Sequence, residues 1–429
     1  MVAVMSAASA AATPAVAPWT LDSCVSYAVE HNISVRSMRL REEGERLGLT
    51  EAKDRFLPTV RASASQDFNF GRGLTSRNIY ADRNTSQFSW NAGVSLPVFQ
   101  GLAEYRGIAL AKASIERALY DTEAAGDDVA LNVISRYLQA LYAKEVVESS
   151  RSQLALSEFE VKRQTEMIRA GKAAEVTRYD LEAVAARDRV QVVQAEDDLQ
   201  VALEELASLL QLEDMTGFDV SPLPYVGGDL PSADSVYEAA LSSNNALQSA
   251  RSSVIVADRQ ISYARSSYLP TLGFNAGLGS GYYRISGENN DSFSSQMRHN
   301  YATYLGFSLN IPIFDAFATR NSVRRASLQK TTAELELDDR RYSLRKDIRL
   351  AHLQASGARQ RMAATEEALR KTRLSFDATR ERFGLGVATI ADYEQAKNNL
   401  FLTEISAIQA RCEYIMRRRI LLFYRDGRK

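Results

Sequence analysis

Residues 56–60 read FLPTV, and residues 268–272, in the second half of the chain, read YLPTL. In both places a long helical pattern stops at a proline, and a short pattern of alternating apolar and polar residues begins. Proline lacks an amide hydrogen and disfavours helical backbone in the residue before it. Pro58 and Pro270 therefore predict two turns from a helix into a strand, and the recurrence of the stretch indicates an internal duplication.

Two further landmarks support the duplication. Residues 95–101 (SLPVFQG) are matched by residues 310–316 (NIPIFDA), and residues 170–173 (AGKA) are matched by residues 385–388 (LGVA). The landmarks keep their order and a nearly constant offset, which is typical of two copies of one structural plan. Each copy follows the plan helix, strand, strand, long helix.

The predicted division of the chain follows from this plan. It comprises an export signal or disordered N-terminus at residues 1–18, a first repeat at 19–212, a linker rich in proline and glycine at 213–233, a second repeat at 234–424 and a tail at 425–429. The strands are predicted at about residues 59–71 and 87–96 in the first repeat and at about 271–283 and 301–311 in the second.

The long helical stretches are predicted to form coiled coils. Residues 102–170 contain no proline, and a continuous helix of that length would reach roughly 100 Å. Apolar residues recur at spacings of four and three, as at Leu199, Leu203, Leu206 and Leu210. This spacing is typical of coiled-coil packing. An ordinary helical bundle is the alternative, which the length of the helices disfavours.

The four predicted strands alternate in polarity, as Val60, Ala62 and Ala64 do with Arg61 and Ser63. A half-buried sheet in a soluble protein would alternate in the same way. Strands of about ten residues, aromatic residues at their loop ends and long polar loops favour a membrane barrel. Four strands cannot close a barrel, and open edges in lipid leave backbone groups unsatisfied at several kcal/mol each. Membrane strands would therefore require oligomerisation, and three copies would supply twelve strands.

Composition and motifs argue against catalysis. The 429 residues include 52 Lys and Arg against 53 Asp and Glu, a balance that gives no electrostatic reason to expect nucleic acid as a partner. Cys24 and Cys412 lie far apart, and none of the three histidines lies near a cysteine or an acidic pair at metal-ligand spacing. GLGSG at residues 277–281 lies inside a predicted strand, without the helix and lysine that a phosphate loop requires. The sequence predicts no enzyme, no cofactor and no metal site.

The two LPT turns, the LPVFQG and IPIFDA segments, the glycine-centred turns near residues 171 and 386 and the duplication together resemble the TolC-type outer-membrane efflux protein family. The resemblance covers residues 19–424, and FGRG at residues 70–73 with its Asn-rich continuation resembles the Bacteroidetes branch. It implies a mainly α fold with a small membrane β part. Each protomer of a trimer would give four strands to a shared twelve-stranded β-barrel, joined to a long α-helical barrel tunnel.

The function implied by the resemblance is that of an outer-membrane channel. It would be the exit duct of a tripartite efflux or type I secretion system, passively conducting substrates from the periplasm to the outside of the cell. The implied partners are two further copies of the chain, outer-membrane lipid, a periplasmic adaptor (membrane fusion) protein and an inner-membrane RND or ABC pump. The cargo stays open between drugs, metals and polypeptides. A soluble periplasmic coiled-coil scaffold or adaptor is the alternative, which the four alternating strands disfavour.

The resemblance also assigns roles to individual residues. Pro58, Pro97, Pro270 and Pro312 would mark the turns between helices and barrel. The periplasmic tips of the tunnel, which contact the adaptor in the family, would be formed by Gly171, Lys172, Ala173, Gly384, Leu385, Gly386, Val387 and Ala388. Asp392 occupies the position of a gating ring of aspartates, whereas Gln395 and Ala388 replace a second aspartate and a latch arginine of some members. The alternatives are that the glycines merely allow the chain to turn and that Asp392 caps a helix.

Overall fold

The computed structural model describes residues 18–74, 78–171, 174–223 and 228–428. The predicted N-terminal signal lies almost entirely outside these residues, as do Lys172 and Ala173 of the first predicted tip. Within the described ranges the chain forms nine α-helices and six β-strands. Among the described residues, no helix is both long enough and apolar enough to cross a bilayer.

The two halves of the chain contain their main elements in the same order. The first half contains α1 (Leu21–His31), α2 (Ile33–Asp54), β1 (Thr59–Asn69), β2 (Arg72–Leu74), β3 (Tyr80–Asp82), β4 (Thr85–Gln100), α3 (Ala103–Arg169) and α4 (Glu175–Leu210). The second half contains α5 (Ala233–Ser243), α6 (Asn245–Ala264), β5 (Thr271–Ile285), α7 (Phe293–His299), β6 (Ala302–Asn310), α8 (Ala318–Gly384) and α9 (Ile390–Asp426). A short 3-10 turn, Arg265–Tyr268, precedes β5.

Equivalent asparagines break the first helix of each half. Asn32 ends α1, and its side-chain oxygen accepts the amide hydrogen of Ser34 at 2.9 Å. Asn244 ends α5 and accepts the amide hydrogen of Leu247 in the same way at 2.9 Å. Asparagine competes for backbone groups in this manner and so favours helix boundaries. The matched asparagines therefore divide each opening helical segment into a short helix and a longer one.

The four long strands form one antiparallel sheet in the order β1-β4-β5-β6. The register aligns Val60 with Val94, Val94 with Ala276 and Ala276 with Leu305, so the apolar residues of all four strands share one face. Polar and small residues share the other face, where Ser63 donates to Asn91 at 3.1 Å. Within the described chain, no strand pairs with the outer edge of β1 or of β6. The small hairpin of β2 and β3 lies in the connection between β1 and β4.

The chain divides into two compact units, and each takes segments from both halves. One unit comprises the residues up to Arg39, residues 120–248 and the residues from Asp339 onward. Its largest buried cluster includes Leu21, Cys24, Tyr137 and Leu206. Cys24 and Cys412 are free and buried, and desolvation raises the pKa of each thiol to about 12. Both cysteines are therefore neutral structural residues at ordinary pH.

The other unit comprises residues 40–119 and 249–338 and contains the sheet. The turn predicted at Pro97 lies further along the chain, at Gly101 and Leu102. β4 continues past this proline to Gln100, beyond the end of β1, and Pro97 lies at a bulge where the register with β5 shifts. A bulge tolerates the missing amide hydrogen of proline. Pro312, in contrast, lies two residues after Asn310, the last residue of β6.

The turn from β4 into α3 is made by Gly101 and Leu102, whose φ angles are +60° and +64°. The turn from β6 into α8 repeats this geometry with Ala316 and Phe317, at +52° and +63°. A Cβ at position 101 would lie 2.6 Å from the carbonyl oxygen of Ser266. The FQG and FDA landmarks therefore encode the same left-handed turn, but only the first copy uses glycine for it.

Gly101→Ala is expected to destabilise the protein by about 2 kcal/mol or more, because it adds left-handed strain and a clash with the Ser266 backbone. Ala316→Gly is expected to stabilise it by up to about 1 kcal/mol. Thermal unfolding of the detergent-solubilised protein measures both changes. Gly306→Ala is the control, since a Cβ there meets nothing within 4 Å. Equal losses of stability in Gly101→Ala and Gly306→Ala would contradict this account.

Candidate functional site

The first predicted tip is the turn between α3 and α4. After α3 ends at Arg169, Gly171 adopts a φ of +70°, and its amide donates to the carbonyl of Ile168 at 2.9 Å. Ala174 precedes α4 and provides no side-chain hydrogen bond to cap it. Lys172 and Ala173 lie between these residues, outside the described chain. Gly171 thus closes α3 with the left-handed residue that helix ends favour.

The second predicted tip is the turn between α8 and α9. Gly386 adopts a φ of +75° and donates its amide hydrogen to the carbonyl of Phe383 at 3.0 Å. The amides of Leu385 and Val387 bond back to carbonyls of the last turn of α8 at 3.0 and 2.9 Å. The backbone of this turn therefore satisfies itself. The side chains of Leu385 and Val387, 74% and 66% exposed, project into solvent.

Asp392 lies in the first turn of α9 and closes a capping box. Its backbone amide donates to Oγ1 of Thr389 at 3.2 Å, and its Oδ2 accepts the backbone amide of Thr389 at 3.0 Å. The Thr389 hydroxyl also donates to Oδ2 at 2.7 Å. Because these bonds favour the carboxylate, they hold the pKa of Asp392 below its ordinary value. The side chain therefore fixes the start of α9 and remains an exposed anion.

A surface groove of about 930 Å³ runs between α8 and α9 and reaches Asp392. Serine, threonine, asparagine and glutamine side chains supply most of its polar lining, and Lys371 and Arg382 supply the positive charge. Gln395 and Ala388, which replace the second aspartate and the latch arginine of some family members, line the same groove. The groove therefore presents a mainly polar surface with two cations, Lys371 and Arg382, and a single carboxylate, Asp392, near the tip.

A buried polar cluster joins α9, the helix that Asp392 caps, to α3 and α4. Lys397 of α9 is only 4% exposed, and its Nζ lies 2.9 Å from Oδ2 of Asp188 on α4. It also donates to the hydroxyl of Ser157 on α3 at 2.7 Å, while Gln153 donates to the other oxygen of Asp188 at 3.0 Å. A buried ion pair is retained only when further hydrogen bonds satisfy both charges. This cluster meets that condition and links α9 to α3 and α4.

An aromatic cluster joins the end of α8 to α9 and α3. The rings of Phe383 and Tyr393 stack with their centroids 4.8 Å apart, and the guanidinium of Arg163 on α3 lies 5.4 Å from the Phe383 centroid. Arg163 also pairs with the buried carboxylate of Glu160 at 2.9 Å. Burial raises the pKa of the Tyr393 hydroxyl, which therefore stays neutral. The two clusters together fix the second tip to α3 and α4.

Sequence reasoning missed Lys397 and Asp188, although a signal for both exists. Lys397 interrupts a buried apolar stripe between Tyr393 and Phe401, and Asp188 interrupts another between Ala185 and Val192. A charged residue at a buried helix position requires a partner of opposite charge. Two such residues in different helices predict a pair, but only the fold identifies Ser157 as the third member.

Comparison with known proteins decides the family. Residues 24–211 and 236–421 match the model of the outer membrane efflux protein family. The chain belongs to this family. It is an outer-membrane efflux protein, an exit duct rather than a soluble scaffold or adaptor.

Relatives span nearly the whole chain. Outer membrane protein TolC of Vibrio cholerae is 22% identical over 420 residues, covering 96% of this chain and 92% of that protein. Outer membrane efflux protein BepC of Brucella suis is 22% identical and covers 92% of this chain and 83% of the relative. The finer resemblance to the Bacteroidetes branch stays a prediction.

Solved structures share the fold. That of CusC superimposes with a TM-score of 0.75 at 14% identity, covering 95% of this chain and 92% of the other. The CmeC outer membrane channel of Campylobacter jejuni also gives 0.75, at 16% identity and 95% and 85% coverage. The predicted fold class, mainly helical with a small β part, is confirmed.

Replacing Lys397 is expected to lower the free energy of unfolding by about 3–5 kcal/mol, because Asp188 then stays buried without a cation. Replacing Asp188 is expected to cost less, because Glu394 still lies 3.5 Å from Lys397. Lys397→Met and Asp188→Leu are the single variants, and the double variant is expected to recover most of the loss. Chemical denaturation in detergent measures all three. Arg151→Ala is the matched control, since the exposed pair of Arg151 and Glu196 also joins α3 to α4 and contributes under about 1 kcal/mol. A double variant as unstable as the two single losses combined would contradict the proposed coupling.

Proposed function

We propose that three copies of this chain form the passive outer-membrane exit duct of a tripartite efflux or type I secretion system. The observation that carries the proposal is the four-stranded sheet, which has one apolar face and no partner strand on either outer edge in the described chain. The division into two repeats at residues 19–212 and 234–424 belongs to the proposal. The bounds of the family match, 24–211 and 236–421, support it.

The apolar face of the sheet is fit for lipid and unfit for water. Leu305 is 77% exposed, and Val60, Phe68, Phe307 and Leu309 are all more than half exposed. A contiguous apolar surface of this kind on a soluble protein would promote association. In a bilayer the same residues face hydrocarbon, but each unpaired backbone group at an open edge costs several kcal/mol. Joining β1 of one copy to β6 of the next removes both edges, and three copies close a twelve-stranded barrel.

Two helices carry apolar stripes that one chain leaves uncovered. On α2 the stripe consists of Ile33, Leu40 and Leu47, each seven residues after the one before and each more than half exposed. On α8 the stripe of Leu328, Leu335 and Tyr342 repeats the same spacing and exposure. A seven-residue repeat of apolar side chains is the seam of a coiled coil. Neighbouring copies in a trimer supply the partner surfaces for these seams.

The tips supply the contact with a periplasmic adaptor. Leu385 and Val387 expose apolar side chains at the second tip, and Val176 and Tyr179 do so in the first turns of α4. Gly171, Gly384 and Gly386 keep the backbone of both turns accessible, and Ala388 belongs to the same proposed contact. Lys172 and Ala173, which the prediction also includes, lie outside the described residues. An inner-membrane RND or ABC pump, reached through the adaptor, provides the energy. The duct itself performs no catalysis.

Asp392 forms the periplasmic gate. Three copies of this exposed carboxylate around the axis would form a ring that attracts cations. The capping box supports this role, because Thr389 orients the side chain and favours its charged form. The same residue then caps α9 and narrows the duct.

Leu335→Glu is expected to reduce the fraction of trimer extracted from outer membranes, because it places a charge in the α8 seam. Size-exclusion chromatography with light scattering measures the assembly, and planar bilayers report its channels. Glu336→Gln, at the neighbouring exposed position, is the control and should leave the trimer intact. A protein that fractionates as a soluble monomer in its unaltered form would exclude the proposed function.

Asp392→Asn is expected to weaken block of the channel by multivalent cations applied from the tip side. Because the folded pKa of Asp392 is lowered, the charge and the block should persist as the pH falls through the ordinary carboxyl value of about 4 and be lost only below it. Single-channel recordings at graded pH measure the block. Two further variants separate the gate from the cap. Asp392→Ala removes both the charge and the cap, whereas Thr389→Ala removes the cap but keeps the charge. Block lost in Thr389→Ala but kept in Asp392→Asn would assign the effect to capping.

A further inference from the structure

One row of residues runs across the polar face of the sheet near the LPT turns. The register pairs Arg61 on β1 with Gly93 on β4, Gly93 with Gly277 on β5, and Gly277 with Tyr304 on β6. Two glycines therefore lie side by side between an exposed arginine and an exposed tyrosine. Glycine weakens the interior of a strand and often marks a site where another group approaches closely.

The group that approaches is the ring of Tyr304. A Cβ at position 277 would lie 2.7 Å from Cε1 of this ring and 2.8 Å from its Cζ and its hydroxyl oxygen. A Cβ at position 93 would lie 3.5 Å from the same hydroxyl oxygen. The ring therefore lies flat across β5 and reaches toward β4, in space that a side chain on Gly277 would occupy.

The neighbouring rows of this face carry small side chains. They are Ser63, Asn91, Gly279 and Ala302 on one side, and Thr59, Ser95, Asn275 and Gly306 on the other. Arg61 and Tyr304 are thus the two large side chains at this level, at opposite ends of the row. Arg61 is a flexible chain, whereas Tyr304 carries a rigid ring, so the orientation of this ring decides how far the wall projects over β5. The ring can rotate, because it is the far end of a flexible side chain.

We propose that Tyr304 determines the bore of the duct at this level. Its ring can lie flat against the wall because Gly277 and Gly93 carry no side chains. The inference rests on the proposed trimeric barrel, in which the polar face lines the lumen. Three copies place three tyrosines around the axis, so any side chain at position 277 raises three rings into the path of the cargo together. The glycine pair is therefore a device for keeping an aromatic wall open, and Tyr304 selects cargo by size.

The test measures how fast a bulky maleimide added outside intact cells reaches a cysteine beyond the row. Ser95→Cys, one row nearer the LPT turns, reports passage through the Tyr304 level, and Ser65→Cys, on the loop side, reports entry alone. Cys24 and Cys412 are buried and contribute little background. In the Ser95→Cys protein, Gly277→Ala should slow labelling several-fold for the bulky reagent and leave N-ethylmaleimide unaffected. Adding Tyr304→Ala to Gly277→Ala should restore the rate.

The control variant adds the same methyl group at a glycine whose Cβ would have no neighbouring atom within 4 Å. Gly306→Ala lies on the same face of β6 and has open space around its Cβ, so it should leave labelling at position 95 unchanged. Tyr304→Ala alone should raise the rate for the bulky reagent above that of the unaltered row, which tests the idea even where Gly277→Ala fails to fold. The amount of trimer in outer membranes is measured for every variant.

Two outcomes overturn the inference. Unchanged labelling in Gly277→Ala means that the ring does not narrow the duct, and a double variant as slow as Gly277→Ala means that the glycine acts through the strand instead of through Tyr304. Failure of both Ser65→Cys and Ser95→Cys to react from outside is a different result. It removes the barrel itself and with it the proposed function.

Discussion

The constraint on which the rest of this structure depends is the pair of outer edges that β1 and β6 leave without a partner strand in the described chain. In lipid, a sheet with two open edges leaves backbone groups without hydrogen bonds, and in water its exposed apolar face and unpaired edges promote association with other chains. Other features of the chain fit assembly around this sheet. Pro58 and Pro270 each precede the first long strand of a half, and the left-handed turns at Gly101 and Ala316 return the chain to helix. The apolar stripes on α2 and α8 stay exposed in a single copy.

Most of the architecture could be predicted because the same proline and glycine landmarks recur in both halves of the chain. Pro58 and Pro270 each precede a strand that begins at the next residue. The resemblance implies a turn at Pro97 as well. The structure instead places it in a bulge of β4, beyond the end of β1, where no ladder bond to β1 is lost. Whether a proline ends a strand therefore depends on its neighbour in the sheet, which local sequence does not contain.

The elements that sequence reasoning missed depend on tertiary contacts. The sequence predicts a long polar loop between the third and fourth strands, but this segment contains α7. The side chain of Gln296 on α7 bonds both the amide and the carbonyl of Tyr283, beyond the end of the pairing between β5 and β6. A helix of seven residues has little intrinsic stability. It forms here because it completes the edge of β5, and no periodicity in its own sequence reports that need.

The residues proposed to act in the duct are those in which the two repeats differ. The repeats share a glycine with positive φ at each tip, Gly171 and Gly386. The capping box of Thr389 and Asp392 has Ala174 and Thr177 at the equivalent positions of the first repeat, and Ala174 makes no side-chain cap.

The same holds for the other functional groups. Lys397, which anchors α9 to α3 and α4, is matched by Glu182, and Tyr304 is matched by Ser89. A structural plan can be duplicated without loss, because both copies need the same turns and the same strand starts. The proposed gate and the proposed bore each need one set of side chains per protomer, since a second set would place another ring in the duct. Duplication therefore accounts for the fold, and the residues proposed as gate and bore lie where the two repeats depart from each other.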